Sequence, residues 1–404
     1  MTAWRRVRLK YVVDINRDVL RETTAPDTEF RYIDISTCGR GALVAEPELV
    51  RFGEAPSRAR RLVSSGDTIV STVRTYLRAV WRVTGPTDNL VVSTGFAVLS
   101  PRPGLVPEFL GWLMQSDPVI EEIVARSVGV SYPAINGLEV GEVVVSVPDR
   151  QQQRAIADYL DAETTRINAV VSSFERQLGL LAVRKRVTVS DTLKAHSTGE
   201  VPVRRLVTTV TSGPRGWSGL DVEGSTHLFL RIANVAADSI GLKLEDVAFI
   251  NAPGGDESDR CRVRPGDVLT TITAAIGQVA VVPPDLGEAY ISQHLALLRP
   301  DPALVMPEWL ALALWSDDAQ RQLDAARYGG TKQQLSLDDV REVRLPLAEM
   351  PVQVTVVPRA LASLETVTQA ERRIRRVIDL LLERRQALIT AAVTGQLEMP
   401  RVAA

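Results

Sequence analysis

The stretch Pro107-Glu108-Phe109-Leu110 returns 200 residues further along the chain as Pro307-Glu308-Trp309-Leu310. The same shift superimposes other identical residues, among them Gly66-Asp67 on Gly266-Asp267, Ser116-Asp117 on Ser316-Asp317, and Gly129 on Gly329. A chance match does not hold one register over so many positions. The sequence therefore predicts a tandem duplication of a unit about half the chain long.

Length and composition predict a globular, modular protein. The chain has 404 residues, of which 45% are hydrophobic and 24% charged, and its net charge is -2. These values exclude a disordered, collagen-like or disulfide-rich protein, and the length predicts two or three domains. No apolar run reaches the roughly 20 residues of a membrane helix. The start of the chain, Met1 to Lys10, is basic, and no apolar signal core follows it. We expect a cytoplasmic protein without a membrane partner.

The first part of each half predicts an α+β globule. Asp67-Thr68-Ile69-Val70-Ser71 and Asp267-Val268-Leu269-Thr270-Thr271 are β-branched runs that follow a glycine, which is typical of strands. Their leading aspartates are interpreted as turn residues that bond their own backbone, rather than as general acids. Short helices are predicted around 107–126 and 307–327, where Leu, Trp and Ala recur at helical spacing.

The second part of each half predicts a long helix. Asp149 and Gln152 form a capping-box arrangement, and apolar residues then alternate in steps of four and three, as in a coiled coil. This first seam consists of Ile167, Val171, Phe174, Leu178 and Leu181. The second seam consists of Leu364, Val367, Ile374, Ile378, Leu381, Leu388 and Ala392, interrupted by Glu371 and Arg385. Pro358 precedes this seam and is interpreted as a helix start.

Basic runs accompany both predicted helices, among them Arg184-Lys185-Arg186 and Arg375-Arg376. They are interpreted as outward salt-bridge partners, with contact to a DNA backbone as the alternative. Because both helices belong to one chain, antiparallel pairing within the chain is available to them.

The order of globule, long helix, globule and long helix resembles the DNA-specificity subunit of type I restriction-modification systems, over essentially the whole chain. The motifs that carry this resemblance are the first helix start Pro148-Asp149-Arg150-Gln151-Gln152-Gln153-Arg154-Ala155-Ile156-Ala157-Asp158-Tyr159-Leu160-Asp161, the helix end Ala391-Ala392-Val393-Thr394-Gly395, and the loop Tyr328-Gly329-Gly330-Thr331-Lys332-Gln333-Gln334-Leu335. The second helix start, Glu349-Met350-Pro351-Val352-Gln353, departs from the family pattern.

The resemblance implies an α+β fold with a pseudo-two-fold internal repeat. Two similar target-recognition domains are separated by two long helices that form an antiparallel coiled coil. The implied boundaries are 1–148 for the first recognition domain, 149–199 for the central helix, 200–348 for the second recognition domain, 349–397 for the C-terminal helix, and 398–404 for a tail.

The resemblance also implies a function without catalysis. Each globule would read half of a bipartite site in double-stranded DNA, with the helices as a spacing ruler. The implied partners are two methyltransferase subunits and an ATP-dependent restriction subunit that acts as translocase and nuclease.

The signatures of an enzyme are missing from the sequence, which agrees with that role. It contains no Gly-x-x-x-x-Gly-Lys-Ser/Thr phosphate loop and no Asn-Pro-Pro-Tyr/Phe methyltransferase motif. Cys38 and Cys261 have no further Cys or His at ligand spacing, and His196, His227 and His294 are not spaced as metal ligands or nucleophile partners. We therefore expect no cofactor, no metal and no catalytic residue.

Candidate DNA contacts are cations for phosphates and forked donors for base edges. In the first globule they are Arg58, Arg60, Arg74, Tyr76, Arg78, Ser131 and Tyr132, of which Arg74 and Arg78 are preferred. In the second globule they are Arg215, Trp217, Gln293, His294, Thr331, Lys332, Gln333 and Gln334. For any single arginine a solvated strand face remains an equal interpretation.

A protein-binding scaffold is the competing hypothesis. Residues 201–350 carry more acidic than basic residues, whereas DNA-binding domains are commonly basic. A coiled coil that binds only protein partners suits that charge. The sequence leaves both functions open.

Overall fold

The computed structural model describes residues 4–217, 224–329 and 333–397. These residues divide into two compact units. Unit 1 comprises Met1–Ser173 and Val377–Ala404, and unit 2 comprises Phe174–Arg376. Each unit thus contains one globule together with a part of each long helix.

Unit 1 is built from ten strands and three short helices among the described residues, together with part of each long helix. The strands are β1 Arg5–Arg8, β2 Val13–Ile15, β3 Glu29–Ile33, β4 Glu48–Arg51, β5 Ala59–Leu62, β6 Thr68–Ser71, β7 Val80–Arg82, β8 Leu90–Ser93, β9 Phe96–Pro101 and β10 Val144–Val147. The helices are α1 Pro107–Met114, α2 Asp117–Arg126, α3 Gly137–Gly141 and the first half of α4 Arg150–His196. The sheets have the strand orders β2-β9-β6-β7 and β4-β3-β8-β5, and β1 pairs with β10.

In the part of the chain that the structure describes, unit 2 repeats this topology, with three strands instead of four in its second sheet and one additional short helix, Asp256–Cys261. Its strands are β11 Gly199–Pro202, β12 Val207–Ser212, β13 His227–Leu230, β14 Ala248–Ile250, β15 Val268–Thr271, β16 Val279–Val281, β17 Ala289–Ile291, β18 Leu295–Pro300 and β19 Arg344–Leu347. Its helices are α5 Asp256–Cys261, α6 Pro307–Trp315, α7 Asp317–Ala326, α8 Leu337–Glu342 and the first part of α9 Met350–Val393. The sheets have the orders β12-β18-β15-β16 and β14-β13-β17, and β11 pairs with β19.

The central sheet of each unit is buried on both faces, which explains the continuous apolar runs in the sequence. In β6, Ile69 packs into the core that faces the second sheet, whereas Val70 packs beneath α1 and α2. In β15, Leu269 and Val268 divide between the two cores of unit 2 in the same way. The predicted α+β globules, their strands and their duplication are confirmed.

The predicted turns before these strands are confirmed as well. The Asp67 Oδ2 atom accepts a hydrogen bond of 2.8 Å from the Ser64 backbone N–H. Asp267 accepts the equivalent bond of 2.7 Å from Arg264 and is also paired with Arg299. Gly66 precedes the turn aspartate with φ +90°, a conformation that favours glycine.

Buried glutamines fix the start of each long helix, despite the divergent sequence of the second start. Gln153 accepts a bond of 2.7 Å from the Val106 N–H and donates to the carbonyls of Gly104 and Pro148. Gln353 makes the same three bonds, accepting from Met306 and donating to two carbonyls, those of Leu304 and Ala348. The second repeat therefore retains the three hydrogen bonds of the buried glutamine, although the rest of the helix-start motif has diverged.

The prediction that Pro358 marks a helix start is wrong, since α9 begins at Met350 and continues through it. Pro358 and Val354 both lie on the exposed side of the helix. Water can therefore bind the Val354 carbonyl that the proline leaves without a donor.

The coiled-coil seam is confirmed, but two of its positions carry charges. In unit 2, Lys185 and Glu371 are buried and their side chains meet at 2.9 Å. Lys185 also donates to the Asp238 carbonyl. The interpretation of Lys185 as an outward-facing residue is therefore wrong, because a buried carboxylate on α9 faces it across the seam.

The described residues contain no helix that combines the length and apolar character needed to cross a membrane.

Candidate nucleic-acid interface

Each unit has a cleft at the equivalent position of the repeat. In unit 1 the loop after α2 pairs with the end of β6, through bridges of Ala134 to Val73 and to Val128. In unit 2, Gln334 makes the equivalent bridges to Thr273 and Tyr328. The duplicated fold therefore places the same loop against the same strand end twice.

The first cleft has a volume of about 530 Å³ and the second about 450 Å³. The first cleft is lined by Tyr32, Asp34, Ile35, Ser36, Pro56, Arg58, Val73, Arg74, Ser93 and Tyr132. The second cleft is lined by Ser212, Gly213, Arg215, Ile272, Thr273, Gln293, His294, Tyr328, Gln334, Leu335 and Leu337. The two share a backbone framework but differ in their polar side chains.

The first cleft brings three of the predicted contacts together. Arg58, Arg74 and Tyr132 line it, and the Arg74 guanidinium lies 4.9 Å from the centre of the Tyr132 ring. Arg74 has a left-handed backbone with φ 50°, which its N–H stabilises by donating to the Pro133 carbonyl at 2.8 Å. Because stacking leaves the edge of a guanidinium free, Arg74 can still donate to a phosphate or a guanine.

A carboxylate in the first cleft was missed by the sequence analysis. Asp34 accepts hydrogen bonds from the backbone and hydroxyl groups of Ser36 and Thr37. Burial acts to raise the pKa of Asp34, but these hydrogen bonds outweigh it and hold the pKa below its ordinary value. The run Asp34-Ile35-Ser36-Thr37 is a side-chain cap pattern that would have indicated this turn.

Four other predicted residues of the first globule lie outside the first cleft. Arg60 stacks on the Phe52 ring at 4.8 Å, and Arg78 pairs with Asp117 at 3.5 Å. Tyr76 and Ser131 are exposed and do not line the cleft. Arg78 thus points to α2, whereas Arg74 points into the cleft.

The second cleft brings together Arg215, Gln293, His294 and Gln334. The His294 Nδ1 atom lies 2.8 Å from the Thr273 hydroxyl, and its Nε2 atom lies 3.1 Å from Gln293 Nε2. Gln333 is exposed but does not line the cleft. The predicted contacts Thr331 and Lys332 lie outside the described residues.

Trp217 belongs to the core instead of the second cleft. It is only 5% exposed, and its ring centre lies 5.8 Å from that of Tyr290. The glycines and proline around it indicated an exposed loop, but the aromatic ring fills the space behind β13 and β17. We therefore remove Trp217 from the candidate contacts.

The two cysteines are buried in the cores between the sheets. Burial raises the pKa of Cys38 to about 12 and that of Cys261 to about 11. Both thiols therefore stay protonated at neutral pH. They serve as small apolar core residues.

The duplicated clefts and long helices can be compared with those of known proteins. A chain from a solved structure on complex assembly and conformational transition of the type I R-M system is 25% identical to this chain. The match covers 98% of this chain and 99% of the other, with a TM-score of 0.73. The resemblance to type I specificity subunits is confirmed.

Two curated relatives are described as type I specificity subunits. The specificity subunit of the type I restriction enzyme HindI from Haemophilus influenzae is 30% identical over 116 residues, covering 28% of this chain and 25% of the relative. The specificity subunit of the type I restriction enzyme EcoBI from Escherichia coli is 20% identical over 309 residues, covering 69% and 63%. The matched parts thus span less than two thirds of either relative. No model of a protein family matches this chain.

Proposed function

We propose that this chain is the non-catalytic, sequence-specific DNA-binding subunit of a type I restriction-modification complex. The observation that carries the proposal is the pair of equivalent clefts with different polar linings, on a chain similar to type I specificity subunits. Different linings on one framework suit two different half-sites of a bipartite DNA sequence. The first cleft is lined by two arginines, Arg58 and Arg74. The second cleft is lined by one arginine, Arg215, and by the amide side chains of Gln293 and Gln334.

The proposed division follows the implied boundaries. Residues 1–148 and 200–348 form the recognition domains, and 149–199 and 349–397 form the helical parts between and after them. The helix α4 has 47 residues, which gives a length of about 70 Å. In the proposal, the helices set the spacing between half-sites and offer repeated docking surfaces to two methyltransferase subunits.

The acidic balance of residues 201–350 agrees with a shared interface. Several of these acidic side chains are already engaged away from the second cleft, as in the Arg299–Asp267 pair at 2.8 Å and the contact of Asp318 with Lys194 at 2.6 Å. The modification subunits would supply most phosphate contacts, and a restriction subunit would supply translocation and cleavage. We place this activity in the cytoplasm, where chromosomal DNA is accessible.

The test is sequencing of methylated DNA from cells with and without this gene, expressed together with its modification subunits. We expect one methylated, two-part motif that disappears with the gene. Methylation that persists unchanged without the gene contradicts the proposal.

A salt titration separates DNA recognition from the scaffold hypothesis. The assembled complex is expected to bind duplex DNA with an affinity that falls steeply as salt rises, because phosphate contacts release counterions. A complex that assembles but gives neither a footprint nor a salt-dependent affinity would instead indicate a protein-binding scaffold. The comparisons give no support to that alternative.

A further inference from the structure

One turn in the second cleft carries polar side chains that have no counterpart in the first cleft. The turn between β17 and β18 carries Gln293 and His294, where the turn between β8 and β9 carries Thr94 and Gly95. Both turns are anchored alike, since Ile272 donates to the His294 carbonyl at 3.0 Å as Thr72 does to Gly95 at 2.8 Å. The backbone is therefore retained while its side chains are replaced.

The residue difference at the turn is accompanied by a second difference between the two units, at the adjacent strand end. A Cβ atom at Gly95 would lie 2.9 Å from the Ile35 side chain and 3.1 Å from the Val73 side chain. In unit 2 the position of Val73 is occupied by Thr273, whose hydroxyl lies 2.8 Å from His294 Nδ1. One of the two side chains that crowd the first turn, Val73, is thus exchanged in unit 2 for a hydrogen-bonding partner of the histidine.

The contact between Gln293 and His294 indicates which tautomer the histidine ring adopts. The Nε2 atoms of Gln293 and His294 lie 3.1 Å apart, and an amide nitrogen can only donate. Nε2 of His294 must therefore accept, so the hydrogen-bond pattern assigns the ring proton to Nδ1, which donates to the Thr273 hydroxyl. Thr273 and His294 then hold the Gln293 amide in one orientation.

The Gln293 amide, held in this orientation, has one N–H donor and one oxygen acceptor left for a base. Among the described residues no other group bonds the Gln293 Oε1 atom or its second N–H. Adenine presents one donor, N6, and one acceptor, N7, in the major groove, whereas guanine presents two acceptors. Because His294 already takes one amide hydrogen, Gln293 lacks the second donor that guanine needs.

We propose that Gln293 is the side chain by which the second cleft recognises an adenine, and that His294 and Thr273 are its positioning residues. This inference rests on the proposed function and deepens it. It assigns a base to one side chain of one half-site. Gln334, the other amide that lines the second cleft, has no such support from a neighbouring side chain among the described residues.

The test uses the full chain assembled with its modification subunits, with selection of bound motifs from random duplex DNA. In Gln293→Met the preference for adenine at one position of the second half-site should fall roughly ten- to a hundredfold, since a bidentate contact is lost. Gln293→Glu should shift that position towards cytosine, whose N4 group donates. The first half-site should stay unchanged in both variants.

Variants of the neighbours test the positioning role. Thr273→Val, which copies the first repeat, and His294→Phe should both relax the adenine preference while the rest of the motif is kept. Thr94→Ala at the equivalent turn of unit 1 is the matched control and should leave the second half-site as it is.

The outcomes separate the two proposals. A wild-type complex that selects no two-part motif contradicts the proposed function itself. A wild-type motif whose second half survives Gln293→Met without change, or requires no adenine, overturns the assignment of Gln293 and leaves DNA recognition intact.

Discussion

Two arginines four residues apart differ in what they contact, and they make the sharpest test of the first cleft. Arg74 lines the cleft and stacks on Tyr132, whereas Arg78 pairs with Asp117 outside it. We expect Arg74→Ala to weaken binding of one half-site by roughly 1 to 3 kcal/mol if its contact is bidentate to guanine. The measurement is the affinity of the assembled complex for duplexes altered in one half-site at a time.

Arg78→Ala is the matched control for this prediction. It removes an equally long cation from the same segment but none from the cleft lining, so the selectivity for each half-site should stay as in the wild type. Equal losses of selectivity in both variants would show that the cleft does not define the contact surface.

Single residues were predictable where their chemistry is local. Asp67 and Asp267 follow glycine, and the turn bonds they make lie within three residues. Trp217 was not predictable in this way, because its burial depends on Tyr290, which is distant in sequence. The separation of Arg74 from Arg78 likewise depends on two partners, Tyr132 and Asp117, that only the folded chain brings near.

At the scale of elements, the buried pair of Lys185 and Glu371 controls how the two long helices of unit 2 meet. Removing one partner leaves an uncompensated buried charge, so Glu371→Leu should lower the free energy of unfolding by roughly 3 to 5 kcal/mol. Lys185→Met combined with Glu371→Leu should recover much of this loss, because an apolar pair of similar volume fits the seam. Chemical denaturation of Glu371→Leu, of Lys185→Met and of the double variant measures the difference.

Additive losses in the double variant would contradict a coupled pair. The equivalent seam position in unit 1 gives the control, since the repeat aligns Arg385 with Lys185 and Val171 with Glu371. The Arg385 Nε atom is buried without a partner among the described residues, and burial together with nearby Arg40 lowers the pKa of Arg385. Arg385→Met should therefore cost little stability or increase it.

Helices and strands were predicted from periodicity, and the exceptions are informative. The four-and-three spacing predicted both seams, but it marked Glu371 and Arg385 as interruptions because periodicity says nothing about a partner across the seam. Proline disfavours helix interiors, so the sequence predicts a boundary at Pro358. The structure places it on an exposed face, where water can reach the carbonyl that lacks a donor.

At the scale of the molecule, the ruler proposal predicts that half-site spacing follows helix length. One heptad inserted after Ser173 in α4 and another after Arg376 in α9, where the two compact units divide, keeps the seam on one face. Seven residues add about 10 Å of helix, or about three base pairs of DNA at 3.4 Å each. We expect the methylated motif to gain about three base pairs between unchanged half-sites.

An active variant with the original gap would contradict the ruler and assign the spacing to partner subunits. A single insertion, in α4 alone, is the control. The two helical connections between the units then differ in length by seven residues, so α4 and α9 can no longer keep their pairing within both units and activity should be abolished.

The division of the chain into units also fixes an order of assembly during synthesis. Unit 2 is continuous from Phe174 to Arg376, so the ribosome delivers all of it before α9 is complete. Unit 1 must wait for Ile389 and Val393, which are buried against its own core. At roughly 5 to 20 residues per second, the first globule to emerge stays unfinished for at least ten seconds and exposes the apolar surface to which chaperones bind.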